Sequence, residues 1–494
     1  MDNFFGDSQG EEERNDRYIS SFVNNAVRSG RAITTETITF KEYFKRCIEN
    51  PSITQTSGER IYEMIMSEGT TYDEERDVLK YNFFHNKIFG ADQAIERIME
   101  YFKAANMGMD IRKRVLLLLG PPGGGKSLFL QTIKDGLREY TKTDRGELYR
   151  VRGCPMNEDP MNLIEDQSVR DKIYKDYKIK ITGRPCPHCK QLLESDWYKN
   201  LSEEVKVERF YIDEEKRQGI GTFAPSVNND MTELYGDVDA RRIEELGDAS
   251  DARSFSFSGE LHKANRGIME FIEILKAEDD LLHVLLSLAE EEEFKMPRFP
   301  LVSVDETLIA HTNEEEFLKF ISKKENEAIV DRLFIVAMPY NMDPRDEELI
   351  YHSAVQDIIK GTGKTIHPGA IRFASEYVIF TRMPDYNEED EFGDFLEMRE
   401  GMFGLSPRFI LNTIGLAITR ELDDDILTPD DMFESLERMI KEYRVLTDET
   451  RSMYLKILEE LYKRKRDAYF DMTINDVDRR FLDDFGLGGR RITG

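Results

Sequence analysis

The sequence is poor in cysteine, with four in 494 residues, and it holds seven histidines. So few thiols exclude a disulfide framework and fit a reducing, cytoplasmic setting. Long apolar runs are missing: none approaches the roughly 18 residues that a membrane-spanning helix needs. Basic charge is in deficit, with 68 Lys and Arg against 97 Asp and Glu and a net charge of −29. That balance argues against nonspecific nucleic-acid binding, which rests on clustered cations facing phosphates. A basic cluster, Lys463 to Arg466, sits in a helix-like stretch beside many acids. The opening MDNFFGDSQGEEERND lacks the basic-then-apolar layout of a signal peptide. What remains, 40% hydrophobic and 33% charged, is a globular composition in a chain long enough for two or three domains.

Residues 1–16, polar and acidic, read as a disordered tail, and 17–85 as a helical N-terminal region. Within the latter, FKEYFKRCIENPSITQTSGERIYEMI predicts two helices broken at Pro51. Ala94, Ile95, Ile98, Tyr101 and Phe102 recur at helical spacing and lead into the strand Val115–Leu119. Further short strands are predicted in ELYRVRG, GIMEFIE, TLIAH and RLFIVAM, with helical periodicity between them in DDLLHVLLSLAEEEE. Strands alternating with helices imply an α/β fold with a mainly parallel sheet, here over residues 86–341. The long interval between Lys126 and Glu273 predicts an insertion at about 160–258. After Asn341 helices take over, with N-cap and proline pairs at Ser406-Pro407 and Thr428-Pro429 and a further helix from Thr447 to Phe470.

The segment VLLLLGPPGGGKSLFL places Gly120, Pro121, Pro122, Gly123, Gly124, Gly125, Lys126 and Ser127 between a strand and a helix. This matches G-x-x-x-x-G-K-[ST] in full. Backbone N–H groups of such a loop surround a β-phosphate, Lys126 neutralises β/γ charge, and Ser127 ligates Mg²⁺. A second GTGKT, at Gly361, has no glycine at the first position and no strand before it, so it reads as a loop between helices. Asn313 follows a predicted strand, where a polar side chain can orient an attacking water. Arg332 precedes the next strand and Arg408 opens a later helix; either arginine can stabilise charge on a transferring γ-phosphate.

On these residues the chain resembles AAA+ ATPases. Gly120–Ser127 looks like Walker A, Asn313 like sensor 1, Arg332 like the arginine finger and Arg408 like sensor 2. More narrowly it resembles the PrkA-type serine protein kinase family, through FKEYFKRCIENP, QTSGERIYEMI, FFHNKIFGADQAIERIMEYFKAA, GPPGGGKS, GCPMNEDP, RFYIDEEKRQGIGTFAPS, ELHKANRGIMEFIEILKA and MPYNM. These span roughly residues 40–340, with weaker similarity beyond. The resemblance implies a AAA+ P-loop core with a helical lid, placed at 342–445, flanked by helical N- and C-terminal regions. It also implies ATP and Mg²⁺ as cofactors, a protein substrate, homo-oligomers built through AAA+ interfaces, and phosphate transfer to serine. Residues 446–494 then read as the start of a C-terminal domain that continues further in the family.

Two departures and a cluster qualify this picture. Laying GIMEFIEI on a Walker B strand puts Ile272 at the usual aspartate and Glu273 at the glutamate, so Glu273 is the candidate base and Glu270 a weaker metal-side candidate. The ending Asp484-Phe485-Gly486 is similar to the kinase metal signature, but its glycine-rich loop, strand lysine and H-R-D partners are unrecognisable upstream. Cys186-Pro-His-Cys189 supports three readings: a turn with incidental thiols, half a Zn²⁺ site supplemented by His188 or Cys154, or a redox pair. Three functions stay open: an ATPase driving rearrangement of a protein partner, in which no protease nucleophile and base are recognisable, a serine protein kinase, or a nucleotide-dependent switch.

Overall fold

The computed structural model describes residues 36–194, 201–225, 231–247, 254–277, 279–295, 301–383, 401–420 and 425–473. The acidic stretch 1–16 and the Asp484-Phe485-Gly486 sequence lie outside them.

Among the described residues, five parallel strands form the central sheet: β1 (Val115–Leu119), β2 (Ile220–Phe223), β3 (Ile268–Ile272), β4 (Thr307–Thr312) and β5 (Leu333–Ala337). Their order across the sheet is β5-β1-β4-β3-β2. β1 is buried at every residue, as a parallel strand covered on both faces must be. Leu116 and Leu118 share one core with Phe129, Leu130, Ile133 and Leu137 of helix α1 (Lys126–Tyr140) and with Ile98 and Phe102 of the helix Asp92–Asn106. Leu117 and Leu119 belong to the opposite core, with Phe271, Ala310 and Leu281, Leu285 and Leu288 of α2 (Asp279–Glu291). Helix α3 (Glu314–Ile321) follows β4.

Among the described residues beyond β5, five helices pack around a third core: α4 (Pro344–Thr362), α5 (Pro368–Arg382), α6 (Pro407–Ile418), α7 (Pro429–Glu442) and α8 (Asp448–Phe470). The first four repeat one local device. A polar side chain, from Asp343, His367, Ser406 or Thr428, accepts a backbone N–H just ahead of it, and a proline fills the first helical position, where its missing N–H costs nothing.

The sheet departs from the sequence expectation in two places. ELYRVRG does form a strand, Tyr149–Val151, but it pairs antiparallel with Lys206–Arg209 in a separate three-stranded sheet completed by Thr37–Thr39. Its alternation of buried Tyr149 and Val151 with half-buried Arg150 suits a sheet solvated on one face. Conversely, Ile220–Phe223 joins the central sheet beside β3, so the stretch 160–258 is not a single insertion: the chain leaves the core after α1, returns for β2, and leaves again before β3. The region to residue 85 is not all helical either, since Thr70–Asp73 and Val78–Tyr81 form a hairpin. Past Asn341, Thr365–Ile366 and Ile426–Leu427 make a short parallel pair.

Candidate nucleotide site

The turn from β1 into α1 is shaped by its glycines. A Cβ at Gly120 would fall 2.1 Å from the Met338 carbonyl oxygen, so only hydrogen fits where the loop passes β5. Gly125 takes φ 88°, a left-handed conformation, and starts α1 at Lys126. The first N–H groups of a helix have no partner within it and carry the positive end of its dipole, so the α1 terminus opens toward an anion. Lys126 donates from Nζ to the carbonyls of Gly120 (2.6 Å) and Pro121 (2.8 Å). Burial, only partly offset by the charge of Glu273, pulls its pKa down to about 8. An ammonium held by neutral carbonyls in this way gains a countercharge when a polyphosphate enters, and Ser127, exposed on the first turn of α1, offers a hydroxyl for Mg²⁺. The residues fit a magnesium nucleotide.

The sheet registers bring other candidates to the same edge. Ile272 lies beside His311, and Thr312 beside Leu119, so the residues following β1, β3 and β4 emerge together. Glu273 sits there half-exposed, in a left-handed conformation (φ 51°) that a glutamate adopts at a cost, with its carboxylate on Lys276 at 2.7 Å. Asn313 caps α3, its Oδ1 accepting the Glu316 N–H at 2.9 Å. Glu270 is elsewhere in the strand and buried. It accepts from Lys134 Nζ at 2.7 Å, His311 Nε2 at 3.1 Å and Thr222 Oγ1 at 3.3 Å. Burial would raise its pKa, but the hydrogen bonds from His311 and Lys134 outweigh it and hold the carboxyl below its ordinary value. With both oxygens engaged by protein groups, the geometry corrects the metal-side role read for Glu270 from sequence: it closes a buried ion-pair network on the α1 face. Lys134 and His311 escaped the sequence reading. The signal was there in Lys134, a cation in the apolar stripe of Leu130, Ile133 and Leu137.

The two arginines lie at opposite ends of the sheet. The Arg332 carbonyl accepts the Val115 N–H at 2.9 Å, which pins it to the start of β1, while the phosphate loop begins at its end. Five residues of strand separate them by about 16 Å. Arg332 donates to the Ala328 carbonyl at 2.6 Å and pairs with Glu290. Arg408, exposed in the first turn of α6, is near the loop instead: a Cβ at Gly123 would touch the Cβ of Ser406, the α6 cap, at 3.6 Å. Two residues that sequence missed hold this approach. Tyr340 donates its hydroxyl to the Pro122 carbonyl at 2.7 Å. Over its ring, 4.6 Å away, sits the guanidinium of the fully buried Arg382, which pairs with buried Glu347 at 2.7 Å and donates to the Leu405 carbonyl just ahead of Ser406.

Away from this edge, Cys186 and Cys189 are buried and lie with Cys154 in one cluster. His188 is not part of it.

A phosphate loop opening a helix after the second strand of a β5-β1-β4-β3-β2 parallel sheet, with a helical lid beyond, defines a AAA+ nucleotide-binding fold. A family model described as the PrkA AAA domain matches residues 38–390, and one described as the PrkA serine protein kinase C-terminal domain matches residues 373–485. The chain belongs to the PrkA family. It is 37% identical over 470 residues to "ATP-dependent protease PrkA" of Bacillus subtilis (strain 168), covering 90% of this chain and 73% of that protein. It is 26% identical over 507 residues to "Serine/threonine kinase YeaG" of Escherichia coli (strain K12), covering 93% and 76%. Among solved structures, NtrX from Brucella abortus in complex with ATP is similar at 14% identity and a TM-score of 0.34, over 76% of this chain and 70% of that one, too low a score to bear on the site. The AAA match begins inside the region read as a separate N-terminal unit, and the two matches overlap over residues 373–390, from within α5 onward, so α6, α7 and α8 fall in the second. No helix of the described residues is long and apolar enough to cross a membrane.

Proposed function

We propose that this chain binds and hydrolyses ATP as a AAA+ ATPase that works in homo-oligomers on a protein substrate. The observation that carries the reading is the separation of Lys126 and Arg332 to opposite ends of one sheet. An arginine tied to the start of β1 is out of reach of its own phosphate loop, which supports a role for it at the loop of a second copy. When bound, magnesium nucleotide supplies the anhydride to be cleaved and a divalent charge on its β/γ oxygens. The loop amides and Lys126 hold the phosphates, Ser127 ligates the ion, and Arg408 reaches in from the lid. Glu273 acts as base toward water, released from Lys276 for the purpose, and Asn313 orients that water from the α3 cap.

A second reading, transfer of the γ-phosphate to a seryl hydroxyl, is favoured by the description of the C-terminal family match and by the name of the Escherichia coli relative. One incubation separates the two. Pure protein with γ-labelled ATP and Mg²⁺, alone and with host lysate, releases free phosphate that Lys126→Ala abolishes if the chain is an ATPase. Label fixed on protein and lost in Lys126→Ala establishes the kinase reading instead. ATP binding with neither product contradicts both.

A further inference from the structure

Three of the four cysteines converge although they come from separate segments. Cys154 follows the strand Tyr149–Val151, and Cys186 and Cys189 flank the start of the helix Pro187–Glu194. All three are at most 4% exposed, and their sulfurs lie within 4.8 Å of one another. Cys154 Sγ and Cys186 Sγ are 3.6 Å apart. That is too far for a bond, but two thiolates on one tetrahedral zinc, with Zn–S of about 2.3 Å, stand about 3.8 Å apart. The backbone is arranged for anionic sulfur: Met156 N–H points to Cys154 Sγ and Cys189 N–H to Cys186 Sγ, each at 3.4 Å. Neutral buried thiols do not need such donors, whereas metal-bound thiolates are stabilised by them.

A second, independent observation comes from the helix Glu260–Ala264. His262 is fully buried there. Its Nε2 lies 2.6 Å from the Tyr235 carbonyl, which can only accept, so Nε2 carries the proton and Nδ1 presents a lone pair. That Nδ1 is buried with no hydrogen-bond partner. The ring lies against Phe255 and Phe294, which share one buried core with Cys154, Cys186 and Cys189, and it stands outside the tight sulfur triangle. A histidine whose outer N–H is fixed by a carbonyl while the inner nitrogen stays bare is the common arrangement of a metal ligand.

We infer that Cys154, Cys186 and Cys189 bind one zinc ion, with His262 moving in as the fourth ligand. Closed sites with four protein ligands are structural. This one ties the first excursion from the core, which carries all three cysteines, to the helix of the second that runs into β3, the strand just ahead of Glu273. Its role is to brace the hydrolysis strand from behind, and its occupancy does not depend on nucleotide.

The test is the metal content of the full chain purified without chelator, measured by plasma mass spectrometry beside Cys47→Ser, Cys154→Ser and Cys186→Ser. Cys47 lies in the N-terminal core, outside the cluster. Wild type and Cys47→Ser are expected to carry zinc at one per chain, and the other two to lose it. Because those two variants can also fail by misfolding, reduced wild-type protein stripped of metal is titrated with cobalt. A thiolate-to-cobalt charge-transfer band with intense tetrahedral d–d bands is expected. His262→Gln should shift the d–d bands and keep the thiolate band; an unchanged spectrum removes His262 from the site. Wild-type protein with no stoichiometric zinc and no thiolate band overturns the inference.

Discussion

At the scale of single residues, two lysines stand in unlike surroundings. Lys126 has neutral carbonyls around it and a pKa lowered to about 8, so near that pH much of the ligand-free chain carries an uncharged amine. A polyphosphate favours the charged form, so nucleotide binding at about pH 9 should take up close to one proton. Calorimetry in buffers of different ionisation enthalpy measures this, and any residual binding by Lys126→Ala should lack it. Without ligand the unfolded state holds the Lys126 proton more tightly, so this residue adds stability as pH climbs above about 8. Lys134 is the opposite case. Burial would lower its pKa, but hydrogen bonding and charge pairing with Glu270 outweigh that and raise it. Lys134→Met leaves Glu270 a buried carboxylate short of its cation, which costs about 3–5 kcal/mol; removing both charges in Lys134→Met/Glu270→Leu should recover most of it. Denaturant melts of the two variants decide this. Because Glu270 has a lowered folded pKa, its contribution is present above the unfolded carboxyl value and is lost as pH falls through the folded one.

At the scale of elements, α6 is aimed by its neighbours. Arg382 fixes the Leu405 carbonyl, Ser406 caps the helix, and Tyr340 joins this assembly to Pro122. Arg408→Ala should weaken nucleotide binding about tenfold to a hundredfold, the worth of a hydrogen bond to a charged group, whereas Tyr340→Phe should cost less than about tenfold. Titration with a fluorescent nucleotide checks both; equal effects contradict the assignment of Arg408 to the ligand. Elements with strong local signals were legible. The run Val115–Leu119, the loop after it, and the Ser406-Pro407 and Thr428-Pro429 starts need no distant information. The four-residue β2 was not, because IGTF contains a glycine and owes its place to distant partners, β3 beside it and the helix Glu260–Ala264 packed on it. Tyr149–Val151 failed for the converse reason: its residues read as a strand, and nothing local tells which sheet accepts it. The Glu270 network, the Tyr340–Arg382 stack and the meeting of Cys154 with Cys186 are contacts between distant segments, which periodicity does not encode.

At the scale of the molecule, one subunit has a phosphate loop at one end of its sheet and a candidate finger at the other. On the proposed function, each active site is therefore the joint property of two copies. Its most direct test mixes two inactive variants. Lys126→Ala loses the loop and keeps Arg332; Arg332→Ala keeps the loop and loses the arginine. Each alone should hydrolyse ATP at background rate, and mixing them should restore turnover, because some interfaces then pair an intact loop with an intact arginine. Full activity of Arg332→Ala alone, or a mixture as inactive as its parts although the subunits exchange, would contradict the account.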